Sequence, residues 1–223
     1  MTFEDYKKKV GIFGKIDTAE KLDFLKRQYE NELLRAEDQN YFEPYESNSG
    51  DGLNCLYEQN LNQIFSLGNI EENQFYFLVK PSFEPEYLLV LTRRLHDYLL
   101  TCTKLTENYW SVFYADKTIT TIDSTSFKLV LVKSIGDKLF YVLDKVMTSA
   151  RSPKSKFFTL DGVVYVISKV SDGKVRSVFK HSPDEDSKSG ELISIMEQLS
   201  DNIHALNAII LKDIEVKIDE LIT

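Results

Sequence analysis

The stretch that decides the fold class is a predicted β-hairpin, VVYVISKVSDGKVRSVFK, at residues 163–180. Its two arms, 163–170 and 174–180, are rich in β-branched and aromatic residues, which favour strands. Asp172-Gly173 stands between the arms and favours a two-residue turn, because glycine adopts a positive φ without strain and the turn matches the twist of the strands. The stretch therefore predicts two adjacent antiparallel strands.

Short apolar and aromatic segments upstream of the hairpin predict the rest of a sheet. The segment FYFLV at 75–79 is closed by Pro81, and Pro85 precedes the next segment, so both prolines lie outside strand interiors. Polar turns separate the segments, which is typical of a meandering antiparallel sheet. The predicted strands are 75–79, 87–91, 98–103, 109–114, 127–132 and 157–160.

Other segments carry apolar residues at helical spacing. One helix is predicted from the N-cap residue Thr18 to Glu37, and another from Ser134 to Ala150. A long C-terminal helix is predicted at 188–221, although the alternation in its last 15 residues also fits a strand. The segment 53–67 fits either a helix or a strand. The predicted fold class is therefore α+β, with an antiparallel meandering sheet and helices packed against it.

The length of 223 residues is expected to give a single globular domain, 1–223. Its N-terminal helical segment, 1–72, is a candidate subdomain, because residues 41–54 contain Pro44 and the turn-rich sequence NSGDG at 48–52.

The charge balance argues against several classes of partner. The chain has 27 Lys+Arg and 35 Asp+Glu, a formal net charge of -8. Nucleic acids and anionic membranes are bound chiefly through clustered Lys and Arg, so neither is an expected partner. The N-terminus is charged, and no segment approaches 18 consecutive apolar residues, so a cytoplasmic location is expected.

The most unusual feature is an uneven distribution of charge. Between Arg35 and Lys80 there are eight acidic residues and no Lys or Arg. Aromatic residues are interleaved with these carboxylates, which suits a protein interface, because aromatic side chains anchor a partner and charges steer its approach. The alternative is a solvated acidic loop over an ordinary core. The candidate partner-binding residues are Glu43, Tyr45, Glu46, Asp51 and Glu58.

These features predict a noncatalytic protein-binding module with a basic protein partner. In general character, though not in any motif, the chain is similar to small acidic bacterial immunity proteins, which neutralise cationic toxins. The similarity implies an inhibitor that blocks a basic bacterial toxin or enzyme, and it transfers no binding residue to this sequence. A self-associating adaptor, forming a homo-oligomer through the C-terminal helix, remains an alternative.

An enzyme whose site is assembled from distant residues is the other alternative. Its candidate carboxylates are Asp116, Asp123 and Glu107, with His96 or His181 as a further group. The sequence lacks the local signatures of phosphate loops, zinc proteases and serine hydrolases, so no catalytic residue is assigned and no cofactor is expected. The acidic stretch 184–191 could suggest a calcium-binding loop. The ligand spacing of an EF-hand would place Lys188 at a ligand position, where its positive charge would repel the cation, so no metal is expected.

A small basic cluster is formed by Arg151, Lys154 and Lys156. These cations could hold a phosphate, but three are few against the net charge. Their expected role is to complement the C-terminal end of the preceding helix and to solvate a loop.

Overall fold

The structure is a computed structural model that describes residues 1–12, 16, 18–45, 52–155, 161–205 and 207–222. Within these ranges the helices are α1 (Phe3–Lys9), α2 (Ala19–Asp38), α3 (Leu53–Ile64), α4 (Tyr109–Ala115), α5 (Lys133–Ser149), α6 (Lys188–Asp201) and α7 (Ala208–Ile222). The strands are β1 (Glu43–Pro44), β2 (Gln74–Pro81), β3 (Tyr87–Arg93), β4 (Tyr98–Leu105), β5 (Ser124–Leu131), β6 (Val163–Ser171) and β7 (Lys174–His181). The strand predicted at 157–160 lies outside the described residues.

The described strands form one antiparallel sheet in the order β1-β7-β6-β2-β3-β4-β5. Four consecutive strands, β2 to β5, form a meander, and the chain then returns through α5 to place β6 on the other side of β2. The predicted α+β fold, with an antiparallel sheet and helices packed against it, is confirmed.

The hairpin predicted at 163–180 is confirmed, including its turn residues. Ser171 lies opposite Lys174, so the turn consists only of Asp172 and Gly173, at φ values of 55° and 68°. Both values are positive, as the predicted two-residue turn requires.

Both faces of the sheet centre are covered by helices. Residues 75–79 of β2 are all buried, and they alternate between the two faces. Phe75 and Phe77 belong to the core shared with α5, α6 and α7, whereas Tyr76 and Leu78 belong to the core shared with α3 and α4. A continuous apolar run suits a strand that is buried on both sides.

The strand predicted at 109–114 is wrong, because these residues form the helix α4. Asn108 caps the helix, and its side-chain oxygen accepts a hydrogen bond of 2.8 Å from the Ser111 N–H. Tyr109 and Phe113 are four residues apart and both fully buried, so the segment follows a helical period. The segment was predicted as a strand because it is rich in aromatic residues, which are enriched in strands.

The helices predicted at 18–37 and 134–150 are confirmed with adjusted ends. Thr18 caps α2 by accepting a hydrogen bond from the Lys21 N–H at 3.2 Å. The prediction of Ser134 as a cap is wrong: α5 begins at Lys133, directly after Val132, whose apolar side chain forms no capping hydrogen bond. The ambiguous segment 53–67 contributes the helix α3.

The C-terminal segment forms two helices where one long helix, 188–221, was predicted. α6 ends at Asp201, and α7 starts after Asn207, whose side chain accepts hydrogen bonds from the N–H groups of Ile209 and Ile210. The apolar residues of α7 continue the stripe of α6. Ile214 and Ile218 are fully buried in the main core, so this face of α7 packs within the molecule. The preferred interpretation of 207–221 as helix rather than strand is confirmed.

None of the helices in the described ranges combines the length and apolar character that a membrane span requires.

Candidate functional site

The acidic segment is largely paired with cations from elsewhere in the chain. Glu43 lies 3.4 Å from the ammonium group of buried Lys180, and Glu58 forms an ion pair with half-buried Lys80. Two of the candidate partner-binding residues, Glu46 and Asp51, lie outside the described residues. The two described carboxylates of the set are therefore offset by lysines of the protein itself.

Tyr45 and Glu58 are brought together, as part of one hydrogen-bonded network. The Tyr45 hydroxyl donates to the Glu58 carboxylate at 2.9 Å, and the Lys80 ammonium lies 5.3 Å from the Tyr45 ring centroid. Burial and the adjacent Glu58 carboxylate raise the pKa of Tyr45. Tyr45 also packs edge-on against Phe179, with ring centroids 5.7 Å apart. Its ring therefore contacts other residues of the chain on at least two sides.

The start of the acidic segment ties α2 to the body of the protein. Glu37 pairs with Arg151 at 2.9 Å and with Lys154 at 3.0 Å. The buried Asp38 carboxylate accepts hydrogen bonds from the N–H groups of Lys154 and Ser155, at 2.9 and 2.8 Å. Two of the three cations in the basic cluster are therefore partnered by the acidic segment rather than by a helix end.

Lys180 completes this junction from the sheet. Its side chain is 3% exposed, and the ammonium group donates a hydrogen bond of 2.8 Å to the backbone carbonyl of Asp38. Burial lowers the pKa of Lys180, and the nearby carboxylates of Glu43 and Asp38 oppose that shift. A buried ammonium group with these partners holds strand β7 to the end of α2.

A cleft of about 680 Å³ opens beside Glu58, between α3, α4 and the ends of β2 and β6. We call it the aromatic cleft. Two of its aromatic residues are well exposed, Phe83 at 81% and Tyr114 at 65%, while Trp110 is half-buried and Tyr57 is buried. The lining residues are Asn54, Tyr57, Glu58, Lys80, Pro81, Ser82, Phe83, Trp110, Ser111, Tyr114, Asp161 and Val164.

The helix α4 supplies one wall of the aromatic cleft. Trp110 and Tyr114 lie one helical turn apart with ring centroids 6.2 Å apart, and the Trp110 ring meets the Tyr57 ring edge-on at 5.0 Å. Residues spaced by four share a helix face, so both α4 rings face the same side. The result is a fixed row of aromatic surface.

The buried carboxylate of Glu86 fixes this wall. It accepts hydrogen bonds from the Tyr57 hydroxyl at 2.6 Å, from the Tyr109 N–H at 2.7 Å and from the Trp110 N–H at 3.1 Å. The two N–H groups belong to the first turn of α4, where backbone donors lack partners within the helix. Glu86 is fully buried, so one side chain joins α3 to the N-terminus of α4. Burial and the Glu86 carboxylate both raise the pKa of Tyr57, which stays a hydrogen-bond donor.

The carboxylates of the enzyme alternative serve local structure or lie exposed. Asp116 accepts hydrogen bonds from the N–H and hydroxyl groups of Thr118, which lower the pKa of its carboxyl group. The backbone carbonyl of Asp123 accepts a hydrogen bond from the Thr106 N–H, and Glu107 is exposed just beyond β4.

Both histidines of that alternative lie away from the end of β4 that precedes Glu107. His96 occupies the turn between β3 and β4, at the opposite end of β4 from Glu107. His181 ends β7, four strands from β4, which corresponds to roughly 19 Å across the sheet. Burial lowers the pKa of His181, with Glu43 opposing the shift.

The residues that the structure describes contain no group of three or more His, Cys, Asp or Glu side chains that could hold a metal ion. Both cysteines are free, and Cys102 is buried with its sulfur 3.4 Å from the Ser200 hydroxyl. Burial raises the pKa of the Cys102 thiol, which disfavours the reactive thiolate.

The aromatic cleft was missed at the sequence level, apart from Glu58. Its exposed rings come from the turn after β2 and from α4, whose aromatic composition predicts a strand. The usable signal was Asn108, a favoured N-cap residue, directly before Tyr109 and Phe113 at helical spacing. No match to this chain is found among protein-family models, curated proteins or solved structures.

Proposed function

We propose that this protein is a noncatalytic protein-binding module and that the aromatic cleft is its docking surface. The observation that carries the proposal is the exposure of Phe83 and Tyr114 beside a rigidly held Trp110. Tyr, Trp and Phe are enriched at the centres of protein interfaces, where a few buried anchors supply most of the binding energy.

The rigidity of the cleft supports protein recognition. Glu86 accepts hydrogen bonds from the Tyr57 hydroxyl and from the backbone N–H groups of Tyr109 and Trp110, so it fixes the Tyr57 ring and the first turn of α4. Binding to a surface that is already held in its bound geometry costs less conformational entropy than binding to a surface that must first become ordered. Exposed aromatic rings on a fixed wall therefore favour binding over a purely structural role.

A basic partner is the second part of the proposal. Glu58 and Asp161 line the cleft, and Asp161 forms no ion pair within the described ranges. Glu58 is offset by Lys80, so the steering charge comes from Asp161 and from the net charge of -8 rather than from Glu58 itself. The specific form we propose is an immunity-type inhibitor that covers the active surface of a basic toxin or enzyme.

The test begins with a partner isolated by co-purification from the native host. Its association and dissociation rates are then measured by surface plasmon resonance against Phe83→Ala and Tyr114→Ala. We expect each substitution to weaken binding by about tenfold or more, mainly through faster dissociation, because loss of an interface anchor costs roughly 2 kcal/mol.

The matched control is Phe24→Ala, which removes an aromatic ring that is 55% exposed on α2, outside the cleft. It should leave both rates unchanged. Asp161→Asn should slow association and reduce its salt dependence, since an exposed charge at the edge of an interface acts on encounter. Wild-type kinetics in both ring variants would exclude the cleft as the docking surface.

A further inference from the structure

A second cavity lies on the other face of the sheet, against the core shared with α5, α6 and α7. Its volume is about 460 Å³, within the range of roughly 300–1,000 Å³ that small-molecule sites occupy. It is bordered by α5, by the start of α6, by the end of α7 and by the segment after α2. Its apolar lining residues are Phe42, Val142, Val146, Leu192, Leu221 and Ile222.

The apolar lining is buried at its base and partly open above. Phe42, Val142 and Leu192 are 2%, 6% and 2% exposed and belong to the main core. Leu221 and Ile222 are half-buried and pack on the same core from α7. An apolar guest in the cavity would therefore contact carbon atoms on several sides without displacing a core residue.

Two exposed lysines line the same cavity. Lys145 lies on α5 with its ammonium group 4.8 Å from the Tyr141 ring centroid, and Lys188 is the first residue of α6. Within the described part of the chain, neither ammonium group forms an ion pair with a carboxylate. The third charged lining residue, Glu37, is already paired with Arg151 and Lys154. The charge available to a guest is therefore positive.

We propose that this cavity binds a small amphiphilic carboxylate, with the apolar body against the core residues and the carboxylate between Lys145 and Lys188. Asn40 and Ser149 also line the cavity, but their side-chain donors are directed at backbone carbonyls, so the two lysines supply the recognition of the head group. An apolar floor selects a hydrocarbon body, and two free ammonium groups select a negative head. The site is separate from the aromatic cleft and does not depend on the proposed protein-binding function.

Titration with decanoate tests the proposal, with decanol as the uncharged probe of the same chain length. Binding is followed by the methyl resonances of Val142, Val146 and Leu192 in selectively labelled full-length protein. We expect saturable decanoate binding below about 1 mM, shifts confined to these and neighbouring methyls, and clearly weaker decanol binding.

The double variant Lys145→Gln, Lys188→Gln should weaken decanoate binding roughly five- to thirtyfold at low ionic strength, because it removes two partly exposed ion pairs. It should leave decanol binding unchanged. Lys117→Gln with Lys212→Gln removes the same charge from two exposed positions outside the cavity and is the matched control. Val146→Trp fills the cavity without changing charge and should abolish binding of both probes.

Three results would overturn the proposal. The first is an absence of saturable decanoate binding up to about 1 mM, which corresponds to a binding free energy weaker than about -4 kcal/mol. The second is equal affinity for decanol and decanoate in the wild-type protein. The third is a set of methyl shifts that lies outside the cavity or that survives the lysine double variant unchanged.

Discussion

Replacement of Glu86 by glutamine should both destabilise the fold and loosen the aromatic cleft. The carboxylate accepts three hydrogen bonds in a fully buried site and donates none. A glutamine amide has one oxygen, so its NH₂ group must face either the Tyr109 N–H or the Trp110 N–H. The substitution therefore leaves one buried backbone donor without a partner and removes the negative charge from the other bonds.

The size of the effect follows from these bonds. An unsatisfied buried donor costs about 1–3 kcal/mol, and a hydrogen bond to a charged acceptor contributes about 1.5–3 kcal/mol, so we expect Glu86→Gln to cost roughly 2–4 kcal/mol. With a urea m-value of about 3 kcal/mol/M, the unfolding midpoint should fall by about 1 M. The control is Glu84→Gln, an exposed position two residues away, which should change stability by less than about 0.5 kcal/mol.

Trp110 provides a local readout of the same change. It is the single tryptophan of the chain, so the intrinsic fluorescence reports on the wall of the cleft. In Glu86→Gln its emission should move to longer wavelength before unfolding, because the first turn of α4 is less firmly held. A variant with wild-type stability and wild-type emission would refute the role assigned to Glu86.

Three other substitutions test the packing that positions the site. Leu143→Ala, at a fully buried position of α5, should cost about 2–5 kcal/mol by urea unfolding, since it leaves a cavity in the core. Gly136→Ala should lower the free energy of unfolding by about 1–3 kcal/mol, because the added Cβ would lie 2.0 Å from the ring of buried Tyr98. This clash outweighs the better helix propensity of alanine, and thermal unfolding measures the loss of stability. Burial opposes ionisation of Asp38, yet hydrogen bonds from Ser155 and Lys154 outweigh it and hold its pKa below the usual value. Its ionised form therefore stabilises the fold above about pH 4. That contribution is lost as the pH falls through the folded pKa, so Asp38→Asn should be destabilising at pH 7, and its cost in urea unfolding should shrink progressively as the pH falls below about 4.

Most strands could be predicted from the sequence because their signals are local. The hairpin at Asp172-Gly173 combines turn chemistry with β-branched arms, and the tertiary structure does not override either. At Tyr109–Ala115 the two local signals disagree, since composition favours a strand and the Asn108 cap favours a helix. The deciding contribution is Glu86, which is distant in sequence and binds the N–H groups of the first helical turn.

The candidate site depends even more on contacts between distant residues. The acidic segment is conspicuous in the sequence, but its partners Lys80, Lys180 and Arg151 lie up to 137 residues away from the carboxylates they pair with. Charge pairing of this kind follows from the sheet order and not from spacing along the chain. The same holds for the aromatic cleft, whose walls come from α3, α4 and two strand ends.

The most direct test of the aromatic cleft as a docking surface is photo-crosslinking in the native host. A benzophenone amino acid is placed at Tyr114 in the cleft and, in a parallel strain, at Phe24 on α2, and the crosslinked products are identified by mass spectrometry. We expect one discrete protein, basic in composition, to be crosslinked from position 114 and not from position 24, and we expect Phe83→Ala to reduce its yield. The absence of a specific product at position 114, or the same products from both positions, would contradict the assignment of the cleft as the docking surface.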